Sequence, residues 1–198
     1  KPKIDIPSFV TLTKNYKISE VGVVTTGRNY LTAPDLVVAG RSDIQLRANL
    51  EGTSINSVDV LSAARGFNDV SNPARIFAVR NSNGVGIVTA SSNGSTNFLT
   101  ISQPTDGWAA DGSNFPFVVG DKIFVEGVGV TTSPLTTGGY NSDDYDYAFF
   151  TVATRNPTTS QITYSITGLG TTGGTFDPNN SAGRVIKRSD LPTFEVKV

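Results

Sequence analysis

The sequence predicts an all-β protein of short antiparallel strands, arranged as a β-sandwich or a small barrel. Apolar residues recur at every second position, as in Val21 and Val23 or Ile44 and Leu46, which is the spacing of strands with one buried face. Clusters of Gly, Asn, Ser, Thr, Asp and Pro separate these runs, and such clusters are typical of turns. No window of about eleven residues carries a helical apolar stripe with caps.

The N-terminal part contains two similar units about 37 residues apart, a spacing in the range of structural repeats. The first is ISEVGVVTTGRNYLTAPDLVV (18–38) and the second is INSVDVLSAARGFNDVSNPARIFAV (55–79). We interpret each as a hairpin-type unit: a strand, a tight turn, a buried aromatic, a proline that ends the loop, and a second strand. Each would form a hairpin or a corner. Because aromatic rings bury a large area, we expect Tyr30 and Phe67 to plug the end of a sandwich.

The rest of the chain predicts further strands in sequence order. Asn-Gly turns, the strongest short-range hairpin signal, occur in RIFAVRNSNGVGIVTASSNGSTNFLTI (75–101). A Gly-Asp turn separates two apolar runs in FPFVVGDKIFVEGVGV (115–130), AFFTVATRNPTTSQITYSITG (148–168) reads as a long hairpin, and PTFEVKV closes the chain. We divide the chain into N-terminal repeats, 1–79, and a C-terminal sandwich or barrel, 80–198, with a single elongated array as the alternative.

The composition excludes several classes of function. The chain has no His, Cys or Met, so Ser-His-Asp and Cys-His catalytic arrangements and His-ligated zinc are excluded. Sixteen Lys and Arg against 17 Asp and Glu give a net charge of −1 without a basic cluster, which argues against nucleic acid as a partner. No apolar run approaches the roughly 20 residues of a membrane span. Since Lys1 is not a start methionine, we expect the chain to be a segment or a processed product.

An aromatic group is the candidate ligand site. Trp108 is the only tryptophan and lies between Asp106 and Asp111. Together with the ring residues of a later loop, it would form a sugar-binding platform if the rings were exposed; these residues are Tyr140, Tyr145 and Tyr147. The alternative for Trp108 is a buried anchor beneath a loop, which is the commoner role of this residue type.

An acidic loop is the candidate metal site. Asp143, Asp144 and Asp146 supply the hard oxygen ligands that Ca²⁺ prefers, although the EF-hand spacing is absent. Solvated loop carboxylates are the alternative. Apart from this calcium ion, the sequence predicts no cofactor.

The sequence offers little for catalysis, and we expect no enzymatic activity. The low-ranking alternative is a glycoside hydrolase, whose two carboxylates would have to lie about 5–9 Å apart. Asp121 with Glu126, or the 143–146 cluster, are the candidates. The glycines at 168, 170 and 173 fit G-x-G-x-x-G, but turn residues follow where a phosphate-binding helix would be needed. We reject a nucleotide site there.

Several phrases of the sequence resemble virion structural proteins of contractile-tailed phages of cyanobacteria. The likeness is carried by the two V-x-V…G-x-x-Y/F…P units, by VGDKIFVEG (119–127) and by GYNSDDYDYAFFTV (139–152). It covers about 18–38 and 115–198. The second unit departs from the first, with Ala64 in the place of Gly27.

The resemblance implies a tail, baseplate or tail-fibre component located in the virion. Its partners would be other virion proteins or copies of itself, since virion parts assemble by burying surface between subunits. The alternative from another class is a module for host attachment that binds a glycan or receptor on the host surface. Exposed aromatic rings would distinguish it.

Overall fold

The computed structural model confirms the all-β class. It describes residues 16–39, 41–63, 65–67, 75–92, 95–126, 129–130, 149–165, 175–177 and 183–198. Within this part of the chain the only helical element is a single 3-10 turn, Arg188–Asp190. The described residues include no helix long and apolar enough to cross a membrane.

The first of two units is a sandwich built from both ends of the described chain. Its strands are β1 (Tyr16–Lys17), β2 (Glu20–Thr26), β3 (Asp35–Val38), β4 (Arg41–Glu51), β5 (Ser54–Ser62), β6 (Arg65–Phe67), β7 (Ile76–Val79) and β16 (Pro192–Lys197). One sheet has the order β5-β4-β3-β7, a second pairs β16 with β2, and β1 pairs with β6. All of these pairings are antiparallel.

The first unit encloses an aliphatic core between its sheets. Strand β2 lies against β5 and β16 lies beside β7, so the six longer strands surround a common interior. The buried residues at its centre are Ile18, Val21, Val38, Ile44, Val196, Tyr30, Leu36, Ala48, Ile55 and Ala78. β-Branched residues dominate this set, as is usual on a pleated, half-buried surface.

The second unit is a barrel inserted between β7 and β16. Its strands are β8 (Val85–Ser92), β9 (Thr96–Ile101), β10 (Lys122–Glu126), β11 (Gly129–Val130), β12 (Phe150–Asn156), β13 (Gln161–Ser165), β14 (Thr175–Asp177) and β15 (Arg184–Lys187). The pairing order β8-β15-β10-β12-β13-β9 closes on itself because β9 also pairs with β8. Closure removes the unpaired edges of the sheet.

The barrel interior follows the alternation of its strands. In β9, Asn97, Leu99 and Ile101 are buried while the residues between them are partly exposed. The loop before β10 adds Phe115 and Phe117 to the same core. The run FPFVV, which the sequence predicts as a strand, is therefore a loop; its rings fill the barrel without joining the hydrogen-bonded ladder.

Strand β10 is buried on both faces. Ile123 and Val125 point into the barrel core, while Phe124 packs outside it against Ile186 and Leu191. The 3-10 turn covers this outer face. Burial of both faces explains why the central residues Ile123, Phe124 and Val125 form a continuous apolar run and do not alternate with polar residues.

The pairings confirm two predicted hairpins and correct a third. Strands β8 and β9, which flank residues 93–94 in the chain, pair with each other, and β12 pairs with β13. No hairpin forms at NSNG (81–84), because β7 pairs with β3 while β8 pairs with β9 and β15. This loop instead connects the two units.

The pairing of the last strand corrects the predicted C-terminal segment. Pro192–Lys197 pairs with β2 across the register Phe194↔Val23 and Val196↔Val21. The segment 80–198 therefore does not keep its final strand. No local pattern predicts this pairing, because alternation shows that a strand forms and not which strand is its neighbour.

Neither repeat forms a hairpin, and the first repeat forms a corner between two sheets. In the first repeat, β2 belongs to the sheet with β16 whereas β3 belongs to the four-stranded sheet. In the second repeat, β5 and β7 lie at opposite edges of that sheet. Tyr30 is only 1% exposed, as expected for a ring that plugs the sandwich. The side chain of Phe67 lies outside the described residues.

Candidate functional site

The two units meet at a buried polar junction centred on Asn81. Its Oδ1 accepts a hydrogen bond from the Tyr30 hydroxyl at 2.9 Å, and its Nδ2 donates to the Ala78 carbonyl and to Glu126 Oε2 at 3.0 and 3.1 Å. The Asn81 backbone N–H donates to Glu126 Oε1 at 2.7 Å. The side chain of Asn81 therefore links Tyr30 of the first unit to Glu126 of the barrel.

Asn83 makes the second connection of this junction. Its Nδ2 donates to the carbonyl oxygens of Arg28 and Asp190 at 2.9 and 3.0 Å. Between the two asparagines, Ser82 donates to the Thr32 carbonyl and accepts from the backbone N–H groups of Leu31 and Thr32. The loop at 80–84 is thus fixed to the first unit at three consecutive residues, Asn81, Ser82 and Asn83.

Gly27 shapes the corner against which this loop packs. Its φ is +63°, a conformation that glycine adopts readily and other residues seldom do. A Cβ there would lie 2.9 Å from the Tyr30 ring and 3.0 Å from the Asp190 carbonyl oxygen. Because Gly27 has no side chain, the Tyr30 ring and the backbone at Asp190 can both pack closely against it.

Burial sets the charge state of the junction. It raises the pKa of the Glu126 carboxyl, although hydrogen bonds from Asn81 and the charge of Arg184 act in the opposite direction. Burial, helped by the Glu126 charge, also raises the pKa of the Tyr30 hydroxyl. The tyrosine consequently stays protonated and remains a hydrogen-bond donor to Asn81.

We expect the Glu126 contribution to make folding more favourable as the pH falls. A carboxyl whose pKa is raised in the folded protein binds its proton more tightly there, so the free energy of unfolding decreases as pH rises from the ordinary glutamate pKa through the raised one. Glu126→Gln should remove this component. The measurement is urea unfolding between about pH 4.5 and pH 7.

The matched control for this titration is Glu51→Gln, since Glu51 is exposed at the end of β4. The difference in the free energy of unfolding between wild type and Glu126→Gln should change with pH, and by more than the difference between wild type and Glu51→Gln. Equal slopes for both variants would contradict the assignment to Glu126.

A cleft of about 520 Å³ lies beside the junction, between the two units. The first unit contributes Arg28 and Leu31, and the barrel contributes Pro116, Arg184 and Lys187. Arg28 pairs with Asp190 at 2.5 Å and Lys187 pairs with Asp121 at 2.9 Å. The cleft can therefore offer cationic groups, backbone amides and apolar surface to a ligand.

The structure places Trp108 against the barrel core. The indole is partly buried, packs edge-on to Phe115 with ring centroids 5.3 Å apart, and donates from Nε1 to Ser160 Oγ at 3.0 Å. These contacts are those of an anchor beneath a loop. Its predicted platform partners, Tyr140, Tyr145 and Tyr147, lie outside the described residues, so the sugar-binding platform stays a prediction.

The predicted calcium ligands also lie outside the described residues: Asp143, Asp144 and Asp146. Among the residues that are described, no three Asp, Glu, His or Cys side chains gather as a metal site would require. Asp121 immediately precedes β10, and Glu126 is the last residue of that strand. Five steps of extended chain place their Cα atoms roughly 16 Å apart, which is longer than the carboxylate separation of a glycoside hydrolase pair.

The sequence analysis missed the residues of the junction and cleft. NSNG gave only a turn signal, because Asn and Gly suit turns wherever they occur. The feature of the sequence that could have singled out NSNG is its position next to the predicted domain boundary at residue 80. No protein-family model, curated protein or solved structure matches this chain.

Proposed function

We propose that this chain is a structural module of a virion, acting in a phage tail, baseplate or tail fibre by assembly and surface presentation. The observation that carries the proposal is the path of the chain. The described chain begins in the first unit at β1 and ends there at β16, while the barrel is inserted between β7 and β16. Because β7 and β16 both belong to the first unit, the barrel is presented on that unit through two chain connections.

Two connections hold the barrel. One is the loop at 80–84 with its hydrogen-bonded asparagines. The other is the 3-10 turn followed by Leu191, which packs against Phe124 and Ile186 of the barrel. A domain on a single linker usually moves relative to its neighbour, whereas two short connections restrict that motion. Such restriction suits a module that presents a surface at a defined position.

Exposed aliphatic side chains supply surface for assembly. Val24 on β2 is 63% exposed and Leu61 on the neighbouring strand β5 is 56% exposed. Removing apolar surface from water contributes roughly 25 cal/mol for each Å², so burying such residues between copies or against another virion protein is favourable. Clustered exposed apolar residues commonly mark protein contacts.

Light scattering at increasing protein concentration tests this proposal. We expect the chain to self-associate, and the double variant Val24→Lys with Leu61→Lys to shift the mass toward the monomer. The control is Gln45→Lys with Asn56→Lys, which adds the same charge at exposed polar positions of β4 and β5 in the first unit. A monomer at all concentrations, or equal effects of both double variants, would count against assembly through this surface.

A second candidate, a module that binds a glycan on the host surface, is favoured by the cleft between the units. That cleft combines charged, polar and apolar groups at the boundary of two domains, where ligand sites are common. Neither candidate contains a catalytic step.

A further inference from the structure

We propose that the cleft between the two units binds an acidic saccharide, with its carboxylate or sulfate group held by Arg184 and flanked by Arg28 and Lys187. This inference rests on the second candidate function, glycan binding, and names its ligand class. It does not depend on assembly. Self-association is measured as a change of molecular mass, whereas ligand binding at the cleft is measured by titration.

The size and position of the cleft suit a short oligosaccharide. Its volume of about 520 Å³ falls in the range of roughly 300–1,000 Å³ that is usual for ligand pockets. Both units form its walls, so the junction described above fixes their spacing. Leu31 and Pro116 provide apolar surface, against which the C–H face of a sugar ring can pack.

Positive charge faces the cleft. Its charged lining consists, among the described residues, of Arg28, Arg184, Lys187 and Asp190. The side chain of Arg28 is 60% exposed but its partner Asp190 is only 16% exposed. Lys187 is likewise more exposed than its partner Asp121. A ligand entering from solvent therefore meets the cationic ends first, which favours a carboxylate or sulfate.

An unpartnered acceptor lies in the same wall. Asn83 is 2% exposed, and its Oδ1 has no hydrogen-bond partner although its Nδ2 has two. A buried carbonyl oxygen without a donor is unfavourable, and a hydroxyl group of a ligand would satisfy it. An acidic sugar supplies both an anion for Arg184 and hydroxyl donors, whereas an acidic peptide of Asp and Glu supplies only the anion from its side chains.

Isothermal titration of the full chain at low ionic strength tests the assignment. The probes are tetragalacturonate, sulfated maltotetraose and neutral maltotetraose. We expect one or both acidic probes to bind and neutral maltotetraose to bind much more weakly. Comparison of the first two probes identifies the preferred anion. Added salt should weaken binding because the contacts are ionic.

Variants locate the site. Arg184→Gln should weaken binding about tenfold, the effect expected when one charge-assisted hydrogen bond is lost. The control is Arg47→Gln, which removes the same charge from an exposed arginine on β4, paired with Asp59 in the first unit, and should leave affinity unchanged. Thermal unfolding of each variant confirms that it folds.

Three results would overturn the proposal. The first is no binding of either acidic probe at about 10 mM, a concentration at which even a weak site is occupied. The second is equal loss of affinity in Arg184→Gln and Arg47→Gln. The third is tighter binding of a tetraglutamate peptide than of either acidic saccharide, which would assign the cleft to an acidic peptide.

Discussion

Replacing Gly84 by alanine is expected to lower the free energy of unfolding by about 4 kcal/mol, the sum of backbone strain and overpacking. Gly84 has a φ of +85°, which side-chain-bearing residues rarely adopt. A Cβ there would lie 2.6 Å from Val185 O and from Ile186 Cγ1. The carbonyl belongs to the β15 backbone, so it cannot move without disturbing the ladder of β15 with β10. Urea unfolding followed by Trp108 fluorescence measures the loss.

Gly52→Ala separates the two contributions. Gly52 has a similar positive φ of +62°, but a Cβ there would have nothing within 4 Å. This variant should cost only about 1–2 kcal/mol, which is the backbone strain alone. Equal losses for the two alanine variants would show that the close approach of Gly84 to β15 does not limit stability.

Asn81→Leu is expected to lower the free energy of unfolding by about 3 kcal/mol or more, since each buried polar group left without a partner costs about 1–3 kcal/mol. Leucine has the same branching and the same number of side-chain heavy atoms as asparagine but is bulkier, so overpacking adds to the loss. The Tyr30 hydroxyl loses its acceptor and Glu126 loses a side-chain donor. Asn56→Leu, at an exposed position of β5, should change stability by no more than about 0.5 kcal/mol.

A double-mutant cycle shows whether the effect acts through the junction. Glu126→Leu removes the carboxylate that Asn81 contacts, so the loss in the double variant should be smaller than the sum of the two single losses. Additive losses would mean that the Asn81–Glu126 contact contributes nothing. Hydrogen exchange in β2 and β10 would show whether both units lose protection together, as expected when their shared junction is removed.

Local pattern was enough to predict the strands and two of the hairpins. The period-two alternation in Thr96–Ile101 matches the buried Leu99 and Ile101 of the barrel. The Asn-Gly turn at 93–94 joins strands that do pair. Both signals act over a few residues, where side-chain direction and turn geometry are dictated by the chain itself. The same reasoning predicted that Tyr30 is buried.

Local sequence pattern did not predict the residues of the junction and the cleft. Asn81 and Asn83 have the composition of an ordinary turn, and their roles arise from contacts with residues 45 to 107 positions away. Arg28, Arg184 and Lys187 line one cleft although no basic cluster exists in the sequence. Trp108, chosen for its rarity, is packed against Phe115. Residue type alone does not reveal which distant groups meet.

The sequence by itself determined that this protein is built of β-strands and tight turns, and that Tyr30 of its first repeat is buried. Only the tertiary structure decided that the last strand returns to β2, that the barrel is inserted within the sandwich, and that NSNG joins the two. The physical reason is that alternation and turn chemistry are local, whereas strand partners are selected by the total surface buried and the polar groups satisfied across the whole chain.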